Sequence, residues 1–462
     1  MLPGFRRRLA VAVTAAAIGL APAAWAETLT DALISAYNHS GLLDQNRALL
    51  RAADEDVAIG VSSLRPVISY ALNAGWKNIQ PNVAPPQTGV TTSASATLSA
   101  SLLLYDFGRR QMGIDLAKEN VLATREMLVT VEQGVLLRAV SAYLGVRRAQ
   151  ETVALQSNNV RLITQELRAA NDRYEVGEIT QTNVSLAEAR LAGARSAEAA
   201  AQGGLIMARE EYRAAVGRYP GTLAPPPAPP MTVRTVQEAK ALARQRHPNM
   251  KTAQHNVTIA ELNVQMAMMA MKPSLSANAS SSLLAGGATS TQMGVTLSGP
   301  IYQGGRLSAL YRKAVAQSDA ARSGLHLAGH GIDQGVANAW AQLAVAAAGR
   351  DATDRQIRAT RVALRGTREE ADLGARTTLD VLNAEQDLLD AQASAISAQS
   401  DQYLAVYSLL SSMGLLTADH LRLGIATYDP AAYYNAVKSA PITKVSPQGE
   451  QLDNLLKALG QN

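Results

Sequence analysis

Two similar stretches, "LLLYDFGRR" (residues 102–110) and "GPIYQGGRL" (residues 299–307), decide the fold of this chain. Each reads as the end of a β-strand, a turn containing glycine, and the start of a helix. Tyr105 and Tyr302 stand 197 positions apart. A fixed offset kept over several landmarks indicates an internal duplication. The same offset pairs Gly108 with Gly305, Tyr143 with Trp340, and Gly177 with Gly374.

The duplication sets the expected organisation of the chain. Upstream of the strands the offset becomes 207, which pairs Pro66 with Pro273. Between the copies, "YPGTLAPPPAPP" (residues 219–230) is too rich in proline to be helical and reads as a linker. We therefore predict five segments: a signal peptide (1–26), a first repeat (27–218), a proline-rich linker (219–232), a second repeat (233–416), and a C-terminal equatorial segment with the tail (417–462).

The first residues predict export from the cytoplasm. Arg6, Arg7 and Arg8 precede an apolar run over residues 9–22, and "AWA" (residues 24–26) has the small residues of a cleavage site. This is the pattern of a secretory signal peptide, so we expect the mature chain to begin at Glu27. Loss of the three arginines lowers the formal charge from +5 to +2, which gives no reason to expect nucleic acid as a partner.

The absence of cysteine from the sequence excludes several classes of site. Disulfides, thiolate metal sites and a lipid-anchoring N-terminal cysteine all require it. After the signal peptide no run of about 18 uncharged apolar residues occurs, which argues against an inner-membrane helix. The exported chain is therefore expected either free in the periplasm or held in an outer membrane by strands.

Residues 91–105, "TTSASATLSASLLLY", predict a β-strand with one apolar and one polar face. Alanine and leucine occupy the even-numbered positions from Ala94 to Leu104, and serine or threonine the odd-numbered positions from Ser93 to Ser101. The same period of two recurs in residues 68–76 and in residues 293–302, where Ile301 falls on the apolar side.

Each copy therefore offers a hairpin of two strands, and residues 273–303 contain no charge at all. From the pattern alone two interpretations stay open: a half-buried hairpin of a soluble domain, or membrane-spanning strands.

Helical sequence fills most of the remainder. One helix of roughly 35 residues precedes the strands of each copy and ends before a proline. After the tyrosine each copy continues without proline for about 62 residues, which makes some 90 Å of helix. Helices this long must pack on one another as coiled coils, and each ends near a glycine before a further helix returns. The predicted helices are 30–64, 109–170 and 182–216 in the first copy, and 236–271, 306–370 and 378–411 in the second.

Three stretches resemble the TolC family of outer-membrane efflux and secretion channels. They are "PIYQGG" (residues 300–305), "LGARTTLDVLNAEQDLLDA" (residues 373–391) and "RYEVGEITQTNVSLAEARL" (residues 173–191). The resemblance extends over the mature chain to about Leu416. The tail "YDPAAYYNAV" (residues 428–437) is similar to that of members serving type I protein secretion, and the chain lacks the lipidated cysteine usual in the drug-efflux lipoprotein branch.

The resemblance implies a mainly α fold with a small β part. Long coiled-coil hairpins would form a periplasmic α-barrel, and four transmembrane strands per chain would give a 12-stranded β-barrel in a homotrimer. It implies an outer-membrane exit duct with its helical part in the periplasm, working with a periplasmic adaptor and an ABC or RND inner-membrane transporter. Neither a cofactor nor a metal is expected, and neither drug efflux nor protein secretion is favoured.

The resemblance also assigns roles to residues. Strands would leave the barrel and become tunnel helices at Tyr105, Gly108, Tyr302, Gly304 and Gly305, where glycine lets the chain turn sharply. Adaptor hairpins would dock near the helix tips at Gly177 and Gly374.

A periplasmic gate is implied as well. In the family, aspartates ring the threefold axis and an arginine ties neighbouring helices; Asp380 and Arg376 fall on these positions. The second ring position is Asn383, and the partner site of the first copy reads Thr182-Asn183, where aspartate would be expected at both asparagine positions. One ring and one tether are therefore expected to be weaker or made differently.

Alternative functions follow from the same sequence. A periplasmic coiled-coil scaffold without a pore would also use long helices, and extraction of membranes with high salt would release a scaffold but not a barrel. His326 and His330 have the i, i+4 spacing of metal ligands, yet no third ligand stands near them in sequence. No metalloprotease motif, nucleophile elbow or phosphate loop occurs, so an enzyme is not predicted.

Overall fold

The computed structural model describes residues 26–79, 89–227 and 233–442, together with positions 450, 454 and 457. Apart from Ala26, the predicted signal peptide lies outside the described residues, as do residues 80–88, part of the linker, and most of the chain beyond residue 442.

Matching helices occur in the two halves of the chain. The first half has α1 (Leu29–His39), α2 (Gly41–Ser62), α3 (Arg109–Glu175) and α4 (Gln181–Val216). The second half has α5 (Val236–Arg246), α6 (Pro248–Met269), α7 (Arg306–Asp372) and α8 (Thr378–Ser412), followed by α9 (Pro430–Val437). The two long helices, α3 and α7, have 67 residues each.

The helix before the strands is broken in both copies, so the prediction of one continuous helix over residues 30–64 and over 236–271 is wrong. In the second copy Pro248 begins α6 and restricts His247 to an extended conformation (φ −64°, ψ 127°). In the first copy Ser40 is extended (φ −71°, ψ 101°) and separates α1 from α2. Serine favours such breaks because its hydroxyl competes for backbone hydrogen bonds.

The strands form one antiparallel sheet in the order β1-β2-β3-β4. They are β1 (Val67–Ile79), β2 (Gly89–Tyr105), β3 (Ser274–Leu284) and β4 (Thr289–Ser298). Two hairpins were predicted, one per copy, and pairing of β2 with β3 joins them. Within one chain β1 and β4 are the edges of the sheet.

One detail of the strand prediction is wrong. β4 ends at Ser298, so Ile301 and Tyr302 lie beyond the strand as exposed side chains. Pro300 has no N–H to donate to a ladder, which explains why pairing stops there. Gly299 packs so closely on Pro273 that an added Cβ would stand 2.8 Å from the proline Cα.

The chain folds as two compact units that cut across the repeats. Of the described residues, unit 1 comprises 26–41, 132–227, 233–243 and 334–426, and unit 2 comprises 42–79, 89–131, 244–333 and 427–442. Each unit thus takes segments from both copies. The repeat boundaries drawn from the sequence stay a prediction.

Each unit has its own core. In unit 1 the side chains of Tyr143 and Tyr212 are completely buried, and the Tyr212 hydroxyl donates to Glu27 Oε1 at 2.6 Å. In unit 2 Leu50 and Val57 of α2 pack with Ile114 of α3 and its neighbours. Among the described helices, α3 has a stretch apolar and long enough to cross a membrane by composition alone. A core helix passes the same test, and Tyr143 lies in the buried part of α3.

Candidate functional site

The sheet of unit 2 segregates its side chains by polarity. Leu98 pairs with Tyr70 on β1 and with Ser281 on β3, and β4 places Met293 and Val295 on the same face. The mainly apolar face carries Ile68, Tyr70, Leu72, Ala74 and Trp76 on β1, Ala94, Ala96, Leu98, Ala100 and Leu102 on β2, Ala277, Ala279 and Leu283 on β3, and Met293, Val295 and Leu297 on β4. Four hydroxyl residues, Thr92, Ser281, Thr289 and Thr291, lie on the same face.

This apolar face is uncovered in the chain. Tyr70 is 80% exposed, Met293 82% and Leu98 57%. A contiguous exposed apolar surface of this extent marks contact with a membrane or a partner. The opposite face carries hydroxyl groups, such as those of Ser69 and Ser99 at 2.8 Å, and Lys77 is the one charged residue in the four strands.

The two strand-to-helix junctions use the same backbone conformation. Two consecutive residues have positive φ at each: Phe107 (58°) and Gly108 (82°) in the first copy, Gly304 (58°) and Gly305 (84°) in the second. Left-handed backbone costs glycine little, so the predicted glycines fit this turn. Sequence reasoning missed Phe107, which takes the position of Gly304.

Asp106 was also missed at the first junction. Its buried carboxylate accepts the N–H groups of Gly108 at 3.2 Å and Arg110 at 3.0 Å, and the Arg110 Nε–H at 3.2 Å. It therefore caps α3, whose first N–H groups lack helical partners. An aspartate directly before a helix was the available signal. Tyr105 and Tyr302, the predicted junction tyrosines, are both exposed.

The helix tips of unit 1 end at the predicted glycines. Gly177 and Gly374 both have φ of 79°. The N–H of Glu178 bonds the Arg173 carbonyl at 2.9 Å, and the N–H of Ala375 bonds the Glu370 carbonyl at 2.8 Å. This six-to-one bond is the Schellman ending that a left-handed glycine permits.

Asp380 is the third residue of α8 and closes a capping box with Thr377. Its Oδ2 accepts the Thr377 N–H at 2.9 Å and the Thr377 hydroxyl at 2.8 Å, while the hydroxyl accepts the Asp380 N–H. These hydrogen bonds, the backbone one first, hold the pKa of Asp380 below its ordinary value in the single chain. Asn383 lies one turn further on the same helix and accepts a bond from Arg190 at 2.8 Å.

The first copy lacks this cap. The 197-residue offset places Asn183 at the position of Asp380 and Thr180 at that of Thr377, and the Thr180 side chain makes no capping bond. Asn183 is half-buried and Thr182 is exposed. Arg376, the predicted tether, pairs within its own chain with Glu370 at 2.8 Å.

A cleft of about 950 Å³ brings some of the predicted residues together. Asn183, Gly374 and Arg376 line it, whereas Asp380, Asn383, Thr182 and Gly177 do not. The docking and gating roles assigned to these residues therefore stay predictions.

A three-residue charge cluster beside the cleft escaped the sequence reasoning. Arg368 of α7 donates to Glu385 of α8 and lies 3.4 Å from Glu166 of α3. The Glu385 side chain is buried, and burial raises its pKa although the Arg368 hydrogen bond opposes the shift. The sequence could have indicated this cluster, because Arg368 and Glu385 carry opposite charges on the two helices of the α7–α8 hairpin, close to its turn.

Known proteins agree with this architecture. The profile of the outer membrane efflux protein family matches residues 33–218 and 241–415. Outer membrane efflux protein BepC of Brucella suis biovar 1 is 35% identical over 436 residues, covering 92% of this chain and 94% of that protein. Outer membrane protein TolC of Vibrio cholerae is 26% identical over 427 residues, covering 89% of this chain and 96% of that protein.

A solved structure shows the same fold. The outer membrane channel CmeC of Campylobacter jejuni superposes with a TM-score of 0.75 at 14% identity, over 90% of each chain. The family resemblance, the mainly α fold with a small sheet, and the outer-membrane location are thereby confirmed. A scaffold without a membrane part is accordingly not supported. The chain belongs to the outer membrane efflux protein family, as an outer-membrane channel protein with a periplasmic helical part.

Proposed function

We propose that three copies of the chain assemble into an exit duct across the outer membrane, fed by an inner-membrane transporter through a periplasmic adaptor. The observation that carries the proposal is the open four-stranded sheet with an uncovered apolar face. In lipid the free N–H and C=O groups of edge strands β1 and β4 must find partners, because no water is available there. Copies of the chain supply such partners when β4 of one pairs with β1 of the next.

Three copies suit the geometry of a closed barrel. Four strands are too few to enclose an interior, and about eight strands give one that side chains just fill. Twelve strands from three chains leave a channel lined by the serine and threonine face, while the apolar face meets lipid.

We therefore expect the detergent-extracted protein to have the mass of a trimer. Native mass spectrometry or light scattering corrected for detergent measures this directly. A folded monomer with a β-sheet spectrum would contradict the proposed barrel, since one chain cannot satisfy its own strand edges in lipid.

The transported substrate has two candidate classes. The 35% identical BepC is named an efflux protein, whereas a 25% identical relative, AprF of Pseudomonas aeruginosa, is named an alkaline protease secretion protein. Small molecules and type I secreted proteins therefore both remain candidates. A deletion strain tested for drug sensitivity and for loss of secreted proteins separates the two classes.

The proposed gate lies at the tips of α7 and α8. Three Asp380 carboxylates around one axis repel one another, which favours uptake of protons or of a multivalent cation relative to an isolated carboxylate. In the trimer Arg376 would leave its exposed partner Glu370 and bind the neighbouring chain, at Thr182 and Asn183. Exposed pairs contribute little, so this exchange of partners costs little.

In planar bilayers we expect low resting conductance and block by multivalent cations added on the periplasmic side. Asp380→Asn should relieve the block, because the amide oxygen still accepts the capping bonds while the charge is lost. Arg376→Ala should raise conductance by releasing the tip helices. Asp390→Asn, an exposed carboxylate further along α8, is the matched control. Unchanged block in Asp380→Asn would make Asp380 an ordinary helix-capping residue.

A further inference from the structure

Arg190 places a positive charge at the predicted constriction. It lies on α4, and its Nη2 donates to Asn383 Oδ1 at 2.8 Å. Asn383 and Asp380 are three residues apart on α8, a spacing that puts both side chains on one face of the helix. The bond to Asn383 therefore holds the guanidinium within about one helical turn of the Asp380 carboxylate.

The charge of Arg190 is not neutralised by a carboxylate. Among the described residues no Asp or Glu oxygen lies within 4.0 Å of its guanidinium, and its acceptor is a neutral amide. Other arginines near the tips differ in this respect. Arg173 pairs with Asp372, Arg368 with Glu385, and Arg376 with Glu370.

We propose that Arg190 is a specificity-determining residue of the duct, and that the constriction it lines passes organic anions as readily as cations. The inference rests on the proposed function, because it takes the α8 tip as the constriction. Each chain contributes one negative charge from Asp380 and one positive charge from Arg190. Arg190 offsets the ring charge for monovalent ions in transit, while the three Asp380 carboxylates can still converge on a multivalent cation, whereas a ring with aspartate also at position 383 would be strongly negative.

The charge of the constriction affects which charged solutes pass and does not affect the stability of the fold. A narrow passage lined by one sign of charge enriches counter-ions and repels ions of its own sign. A passage of balanced charge has no such preference, so carboxylate- or sulfonate-bearing solutes meet no electrostatic barrier. The asparagine at position 383 also fits this arrangement, because it orients the guanidinium without cancelling its charge.

The test is the reversal potential of purified full-length trimers in planar bilayers under a KCl gradient. We expect wild type to pass K⁺ and Cl⁻ with similar ease. Arg190→Gln should raise the cation-to-anion permeability ratio roughly three- to tenfold, as a unit charge a few ångströms from the path does at a dielectric constant close to that of water. Arg190→Lys, which keeps the charge, should retain the wild-type ratio. Arg195→Gln, an exposed arginine on α4 five residues away, is the matched control.

Asn383→Asp provides a second route to the same result. It gives Arg190 a carboxylate partner, and the ratio should move toward cations although Arg190 is still present. Equal ratios for Arg190→Gln and Arg195→Gln in a conducting channel would overturn the role of Arg190 and leave the duct intact. A protein that reconstitutes as a trimer but carries no current even in the Arg376→Ala variant would overturn both.

Discussion

We expect Leu98→Arg to abolish assembly of the channel in the outer membrane, whereas Ser99→Arg should leave most of it assembled. A charge facing lipid at mid-membrane costs roughly 2–4 kcal/mol, and a charge facing the interior of a barrel costs far less. A trimer carries the substitution three times. The cost is therefore about 6–12 kcal/mol per assembly, comparable with the whole stability of a typical domain.

The register of the sheet is what separates these two adjacent residues. Leu98 lies between Tyr70 and Ser281 on the uncovered apolar face. Ser99 lies on the other face, where its hydroxyl bonds that of Ser69 at 2.8 Å. Loss of this hydrogen bond costs about 1 kcal/mol, so Ser99→Arg should lower yield slightly without preventing assembly.

The measurement is the amount of trimer recovered from outer membranes after washing with urea, with both variants expressed at the same level. Ser99→Arg is the control for the bulk and charge of arginine at the same depth. Similar recovery of the two variants would show that the faces are assigned wrongly or that the strands do not meet lipid.

The sheet and the long helices were predictable because their signals are local. The alternation from Ser93 to Leu104 specifies a strand and its two faces, since side chains in a strand alternate with a period of two. The prolines, the glycines at the helix tips and the fixed offset between copies gave most element boundaries. The expected trimer and the expected gate positions came from the family resemblance, because sequence periodicity alone does not indicate either of them.

The features that were not predicted depend on local backbone conformation or on contacts between residues that lie apart in sequence. The break at His247 could be read from Pro248, but the equivalent break at Ser40 carries no such marker. Phe107 has positive φ, which few residues other than glycine adopt. The partners of Arg190 and Arg368 lie 193 and 17 positions away, so only the packed helices reveal them.

Asp54 is the second site where a large effect is expected. It is completely buried in unit 2, and among the described residues neither of its carboxylate oxygens has a hydrogen-bond partner. Burial raises its pKa from 3.8 to about 6, with Arg125 opposing and Glu55 adding to the shift. A buried carboxylate without hydrogen bonds is costly when ionised, so the folded protein favours the protonated form.

The C-terminal segment, residues 427–442, covers this carboxyl group. Tyr428 and Tyr434 pack on the core formed by α2 and the start of α3. Arg47 lies 5.6 Å from the centre of the Tyr428 ring, and Arg125 lies 5.4 Å from that of Tyr434. Arg51 also acts on Tyr428, so the charged groups around the site come from α2, α3 and the segment.

Hydrogen bonds also hold later residues of the segment against α2 and the residues that follow it. The Tyr433 hydroxyl donates to Glu55 at 2.8 Å, and the Arg65 guanidinium donates to the Ala440 carbonyl at 2.6 Å. Opening of the segment would therefore expose Asp54 to water and restore its ordinary pKa of 3.8.

Docking of the segment should weaken as the pH rises. The pKa of Asp54 is higher in the docked form, so the docked form binds the proton more readily. This proton-linked stabilisation of docking is complete below about pH 4 and is lost as the pH rises through about 6. A difference of about two pKa units is worth roughly 100-fold in the opening equilibrium, or about 3 kcal/mol. Between pH 5 and pH 8 the equilibrium constant for opening should increase roughly tenfold.

A single cysteine can report the opening, because the chain has none of its own. Ala436→Cys places a thiol at a buried position of α9, and its labelling rate follows the open fraction. Thiol ionisation also speeds labelling, so the rate is divided by that of the same cysteine combined with Asp54→Asn, which cannot titrate. We expect this ratio to rise roughly tenfold from pH 5 to pH 8.

Asp56→Asn, an exposed neighbour on α2, should give the same profile as the parent. A ratio independent of pH would mean that Asp54 keeps its ionisation on docking and does not control the C-terminal segment.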